Sequence, residues 1–112
     1  MRSRNVRTSS PPCWRYLTAH LHDREPVAVV ARRMGLSERT LRRRFHDQIG
    51  ATPGQWILTE RLQRAQRLLE TTDLPVETIA HNVGLASATA LRRQFRRELA
   101  MTPTEHRRTH RP

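Results

Sequence analysis

The chain has 112 residues, about one small domain, and its 21 basic side chains, all arginine, outweigh 10 acidic ones for a net charge of +11. One cysteine, Cys13, excludes an internal disulfide; no apolar run nears the roughly 20 residues of a membrane span, and the arginine-rich start lacks the apolar core of a secretory signal. The charge points to a polyanion, nucleic acid above all, and the rest to a bacterial cytoplasm, on the nucleoid.

Residues 1–12 hold Arg2, Arg4, Arg7 and a Pro-Pro pair with only Val6 to bury, which reads as a disordered basic tail or a linker remnant. From Cys13 to about His22, the spacing of Trp14, Leu17 and Leu21 predicts a short amphipathic helix. Pro26 opens a second helix, lined by Val27, Val30, Ala31 and Met34 and stopped by Gly35. Ser37 is a good cap for a third, with Leu41, Phe45 and Ile49 facing inward before Gly50 ends it. Thr52-Pro53 starts a fourth helix of about 18 residues, roughly 27 Å long. Its buried stripe is read as Trp56, Leu58, Leu62, Ala65, Leu68 and Leu69, with Arg61, Arg64 and Arg67 on a solvated face beside Glu60 and Glu70, Arg61 having a structural or phosphate-touching role as its alternative. Beyond Asp73, Val76, Ile79, Ala80 and Val83 form another apolar face before Gly84-Leu85. Leu91, Phe95 and Leu99 follow on the next helix, and Thr102-Pro103 begins the last. No stretch alternates with the period of a strand, so the fold class is all-α.

The chain states this pattern twice. Pro26 to Gly35 aligns with Pro75 to Gly84, and Leu41 to Pro53 with Leu91 to Pro103. A repeat of this kind sets the architecture before any single motif does. Each copy holds two helices joined by a glycine turn, the description of a helix-turn-helix. On the second helix of the first copy Arg39, Arg42, Arg43 and His46 face outward; in the second copy Thr89, Arg92, Arg93 and Arg96 do. Both sets run i, i+3, i+4, i+7 and so share one helical face. Duplicated basic helices on a rigid spacer suit two adjacent segments of the major groove, about 34 Å apart. The arginine fork matches phosphate and the guanine edge in two-point geometry.

The strings S-E-R-T-L-R-R-R-F-H-D-Q-I-G-A-T-P (37–53), R-L-Q-R-A-Q-R-L-L (61–69), I-A-H-N-V-G-L (79–85) and L-R-R-Q-F-R-R-E-L (91–99) closely resemble the AraC/XylS-type DNA-binding domain. In finer detail the chain resembles the subgroup in which this domain follows a glutamine-amidotransferase-like sensor. The resemblance covers residues 14 to 108 and implies about seven helices: a first helix-turn-helix subdomain at 13–52, a linker helix at 53–72, a second subdomain at 73–108, and a tail at 109–112. It implies a sequence-specific regulator of transcription, an activator by family habit, acting on double-stranded DNA, with RNA polymerase and a separate sensor or dimerisation domain as further partners. It places base contacts on Arg39, Arg42, Arg43, Thr89, Arg92 and Arg93, and phosphate contacts on His46, Thr52, Arg61, Arg96 and Thr102. Three positions depart from the family pattern: Leu85 where Phe is usual, Ala100 where Gly is usual, and His106 where Tyr is common.

Other chemistries find less support. His20 and His22 stand two apart, which on a helix points them away from each other; no C-x-x-C or H-x-x-x-H pair is read, and no metal site is expected. Trp14 and Trp56 are read as core residues, too few for a base-stacking platform. No nucleophile elbow, phosphate loop or carboxylate pair is visible, so neither enzyme activity nor a cofactor is expected. The rival readings are a non-specific or architectural nucleic-acid binder and, more remotely, a cationic chain on a membrane surface.

Overall fold

The computed structural model describes residues 12–111. The basic tail read at the amino terminus therefore lies, apart from Pro12, outside the described residues, as does Pro112. Among the described residues seven helices follow one another: α1 (Cys13–Ala19), α2 (Pro26–Met34), α3 (Glu38–Ile49), α4 (Pro53–Thr71), α5 (Val76–Asn82), α6 (Ala88–Leu99) and α7 (Pro103–His110). No strand occurs among the described residues.

Local chemistry sets the boundaries. Pro26, Pro53 and Pro103 each occupy the first helical turn, where a missing N–H costs nothing. The hydroxyls of Ser37, Thr52, Ser87 and Thr102 accept from the backbone N–H three residues on, at 3.1, 3.2, 3.2 and 3.0 Å. Four helices, α2, α3, α5 and α6, stop at left-handed residues: Gly35 at φ 70°, Gly50 at 84°, Gly84 at 93° and the non-glycine Ala100 at 58°. Both turns close with the same bond five residues back, Leu36 N–H to the Ala31 carbonyl (2.9 Å) and Leu85 N–H to that of Ala80 (2.8 Å).

Two cores form, and α4 serves both. Leu17, Leu21, Val30, Leu41 and Phe45 make the first with Ile57 from the start of α4. Ile79, Val83, Leu91 and Phe95 make the second with Leu62, Ala65 and Leu69 from its remainder. The molecule is accordingly long, 49 × 28 × 22 Å, with a radius of gyration of 16.2 Å against about 13 Å for a compact chain of 100 residues.

Several inward assignments need correction. Trp14 is 36% exposed, and Cys13 takes its place in the core at 1%. The buried row of α1 is Cys13 and Leu17, continued by Leu21, and Trp14 lies one position around the helix. Ile49, in the last turn of α3, is 37% exposed. In the first half of α4, past Pro53, the buried residue is Ile57, flanked by half-buried Trp56 and Leu58. Trp56 still meets Phe45 edge to face, ring centres 5.6 Å apart. The final helix runs through His110, past the boundary read at residue 108.

Candidate nucleic-acid interface

Helices α3 and α6 present the two basic faces. Leu41 and Phe45 bury one side of α3, which turns Arg39, Arg42, Arg43 and His46 into solvent; Leu91 and Phe95 do the same on α6 for Thr89, Arg92, Arg93 and Arg96. All eight are exposed. Arg42 reaches Glu38 one turn back at 3.7 Å, an exposed pair too weak to hold the side chain from another partner.

The two capped helix starts differ. Thr52 caps α4, whose first turn carries no acidic residue, and Gly54 beside it faces open space. Pro53 carries no N–H and that of Gln55 goes to the Thr52 hydroxyl, so the first turn offers an anion the N–H of Gly54. At α7 the cap closes on itself: the Glu105 carboxylate accepts from Thr102 N–H at 2.8 Å while Thr102 Oγ accepts from Glu105 N–H. Those bonds from Thr102 hold the Glu105 carboxyl below its ordinary range, and a carboxylate already occupies part of the anion position.

Arg61 is the site residue with the most committed environment. Its Nε–H donates to the Leu21 carbonyl at 3.0 Å and its terminal N–H to that of Asp23 at 2.6 Å, across 40 residues of sequence. Burial, then the charge of Arg24, makes its guanidinium easier to deprotonate, opposed by Asp23. Arg64 likewise donates to the Thr18 carbonyl at 3.2 Å. The solvated arginine face read on α4 is thus, for Arg61 and Arg64, a set of straps to the first subdomain, and Glu70 pairs with His106 instead. Gly84 enters the same joint, since a Cβ there would stand 2.1 Å from the Leu21 oxygen and 3.0 Å from Arg61.

Between the subdomains lies a cleft of about 350 Å³ bordered by Arg24, Arg42, Arg61, Leu85 and Gln94. The side-chain oxygen of Gln94, Oε1, is buried without a hydrogen-bond partner. Sequence reasoning missed Arg24 and Gln94, because neither repeats at an equivalent position. Burial pushes the Cys13 thiol up, against the charge of Arg44, which keeps it inert.

The expectation that the chain holds no H-x-x-x-H pair needs correction. His106 and His110 are an i, i+4 histidine pair on α7, and the fold brings Glu70 to them. The spacing was visible in the sequence, but the carboxylate 36 residues away was not.

A family model for a helix-turn-helix domain matches residues 30–109. The chain belongs to the AraC/XylS-type helix-turn-helix family. Among AraC-type relatives, it is 34% identical over 92 residues to the regulatory protein SoxS of Salmonella typhimurium, covering 82% of this chain and 86% of that protein. It is 32% identical over 93 residues to the arabinose operon regulatory protein of Escherichia coli, covering 82% of this chain but 32% of that protein. The chain thus spans about a third of the longer AraC-type regulators it matches. Among solved structures, the DNA-binding domain of AdpA, captured on a target DNA, superposes with a TM-score of 0.80 at 40% identity over 91% of this chain and 95% of that one. These relatives are transcriptional regulators and not enzymes, and an AraC-type double helix-turn-helix is what the described residues fold into. No helix among them is long and apolar enough to cross a membrane.

Proposed function

We propose that the domain reads double-stranded DNA with two heads, α3 and α6, seated in successive major-groove segments on one side of the duplex. The observation that carries this is the equivalent exposure of two arginine faces on helices mounted along one 19-residue helix. Arg39, Arg42 and Arg43 on α3, and Thr89, Arg92 and Arg93 on α6, reach base edges, where each well-placed bidentate pair discriminates by about 1–3 kcal/mol. His46, Arg96 and the start of α4 at Thr52 hold phosphates. The start of α7 at Thr102 is the weaker anion seat, since Glu105 closes it. Arg61 is a positioning residue whose donors are spent on Leu21 and Asp23. In the cell this reading makes the chain the DNA-contacting part of a cytoplasmic activator that meets RNA polymerase and takes its signal from a sensor or dimerisation domain.

Selection of bound sequences from a random duplex pool at physiological salt tests the reading. The expected result is a two-part motif with halves about 10 bp apart. With about six phosphates neutralised, log affinity should fall against log salt with a slope near −5. Salt-sensitive binding without any enriched motif would instead make the chain a non-specific nucleic-acid binder.

A further inference from the structure

The junction between the end of α4 and α7 carries chemistry that DNA reading does not use. Glu70 lies in the last turn of α4, its Oε2 2.7 Å from His106 Nε2. His110, one turn further along α7, stacks on His106 with ring centres 4.0 Å apart. One ligand atom from each of the three residues lies within 4.8 Å of the other two. From this arrangement we propose that Glu70, His106 and His110 form a site for one zinc-class divalent cation, with water in the fourth position, which ties α7 to the end of the linker helix.

Two imidazoles and a carboxylate are a borderline-soft donor set suited to zinc. Donor atoms around a tetrahedral zinc stand about 3.3 Å apart, given bonds near 2.0–2.1 Å. The Glu70–His106 gap needs to widen by roughly half an ångström, and His110, exposed at the surface, has room to adjust its ring. The site is partly organised already. His106 is 5% exposed and packed edge-on to Phe95 at 5.6 Å, so its ring cannot turn away. His110 Nδ1 lies 2.9 Å from the His106 carbonyl; donating there, it leaves the Nε2 lone pair for a metal, the outer hydrogen bond that ligating histidines use.

The surrounding field is compatible with a cation. Glu70 and His110 lie in the last turns of α4 and α7, where the helix dipole is negative. Arg107 and Arg111 stand nearby, but their guanidiniums are engaged. Arg107 donates to the carbonyls of Leu69, Thr72 and Leu74; Arg111 pairs with Asp73 at 2.7 Å and also donates to the Thr72 carbonyl. A simple Glu70–His106 hydrogen bond would need no His110 at this position.

The test is titration of the untagged full chain with zinc in competition with a chromophoric chelator. One zinc per chain is expected, with affinity falling as acid protonates the imidazoles. His110→Ala, at an exposed position that leaves both cores intact, should weaken binding about tenfold or more; Glu70→Gln should do the same. His22→Ala, which breaks the separate surface group of His20, His22 and Asp23, should change nothing. Zinc should raise the melting temperature of the parent chain and not that of His110→Ala. Equal binding by the parent and His110→Ala, or loss of binding in His22→Ala alone, overturns the proposal.

Discussion

Gly35 and Gly84 hold the same place in the two helix-turn-helix units. Both are left-handed, and both precede a leucine that bonds five residues back. Yet a Cβ on Gly35 would meet nothing within 4 Å, whereas one on Gly84 would press into the Leu21 carbonyl at 2.1 Å. The second turn also has an extra residue, Ala86, and Glu77 steadies it by accepting from Ala88 N–H at 3.1 Å. The duplication preserves local geometry; tertiary contact then gives the copies different duties. The first turn is free surface, while the second is the joint at which the subdomains meet.

The sharpest way to break this comparison is to add one methyl group to each turn. Gly84→Ala should cost roughly 2–4 kcal/mol, combining a left-handed alanine with a backbone collision. Gly35→Ala should cost about 1 kcal/mol, for conformation alone. Denaturant unfolding of both variants gives the difference, and equal losses would dissolve the distinction. Next in size is the division between heads. Arg43→Ala and Arg93→Ala should each lose about 1–3 kcal/mol of binding on the preferred operator and relax preference in their own half of the motif only. Measured on an operator panel, a uniform loss across all sequences would reassign that arginine to phosphate.

A smaller effect separates the helix ends. Gly50 and Ala100 both end their helices in the left-handed region, at φ 84° and 58°. Only Ala100 carries a side chain there, so Ala100→Gly should raise the second subdomain's stability by about 1 kcal/mol, read as a shift in thermal midpoint. The smallest effect is pH-dependent. Glu105 has its folded value lowered by the bonds from Thr102, so its stabilisation is complete above the ordinary carboxyl value of 4.5 and is lost as pH falls through the folded value. Glu105→Gln should flatten the acid limb of the stability profile, and an unchanged limb would remove Glu105 from the capping account.

The element order was legible because each boundary has a local cause: a proline in a first turn, a hydroxyl cap, a glycine in a left-handed stop. The outward arginines were legible for the same reason, since Leu41 with Phe45, and Leu91 with Phe95, fix the phase of their helices. Where a helix serves more than one neighbour, phase was harder to read. The spacing points to Trp14 where Cys13 is buried, and to Trp56 and Leu58 where Ile57 is, each one position away around a helix whose partners are distant in sequence. Hydrogen bonds across long sequence separations leave no periodic trace. The straps of Arg61 and Arg64, and the meeting of Glu70 with His106, belong to that class.

The clasp of Arg61 on Leu21 and Asp23 gives α4 the character of a screw. Each residue of an α-helix adds 1.5 Å of length and about 100° of rotation. One residue inserted between Arg61 and the second core would barely change the distance between α3 and α6, but it would swing α6 about a quarter-turn relative to α3. The spacing of readable DNA sites is therefore stored chiefly as an angle. A descendant of this chain that came to read a different spacing would have to gain or lose nearly whole turns of α4, or loosen the arginine that sets its zero.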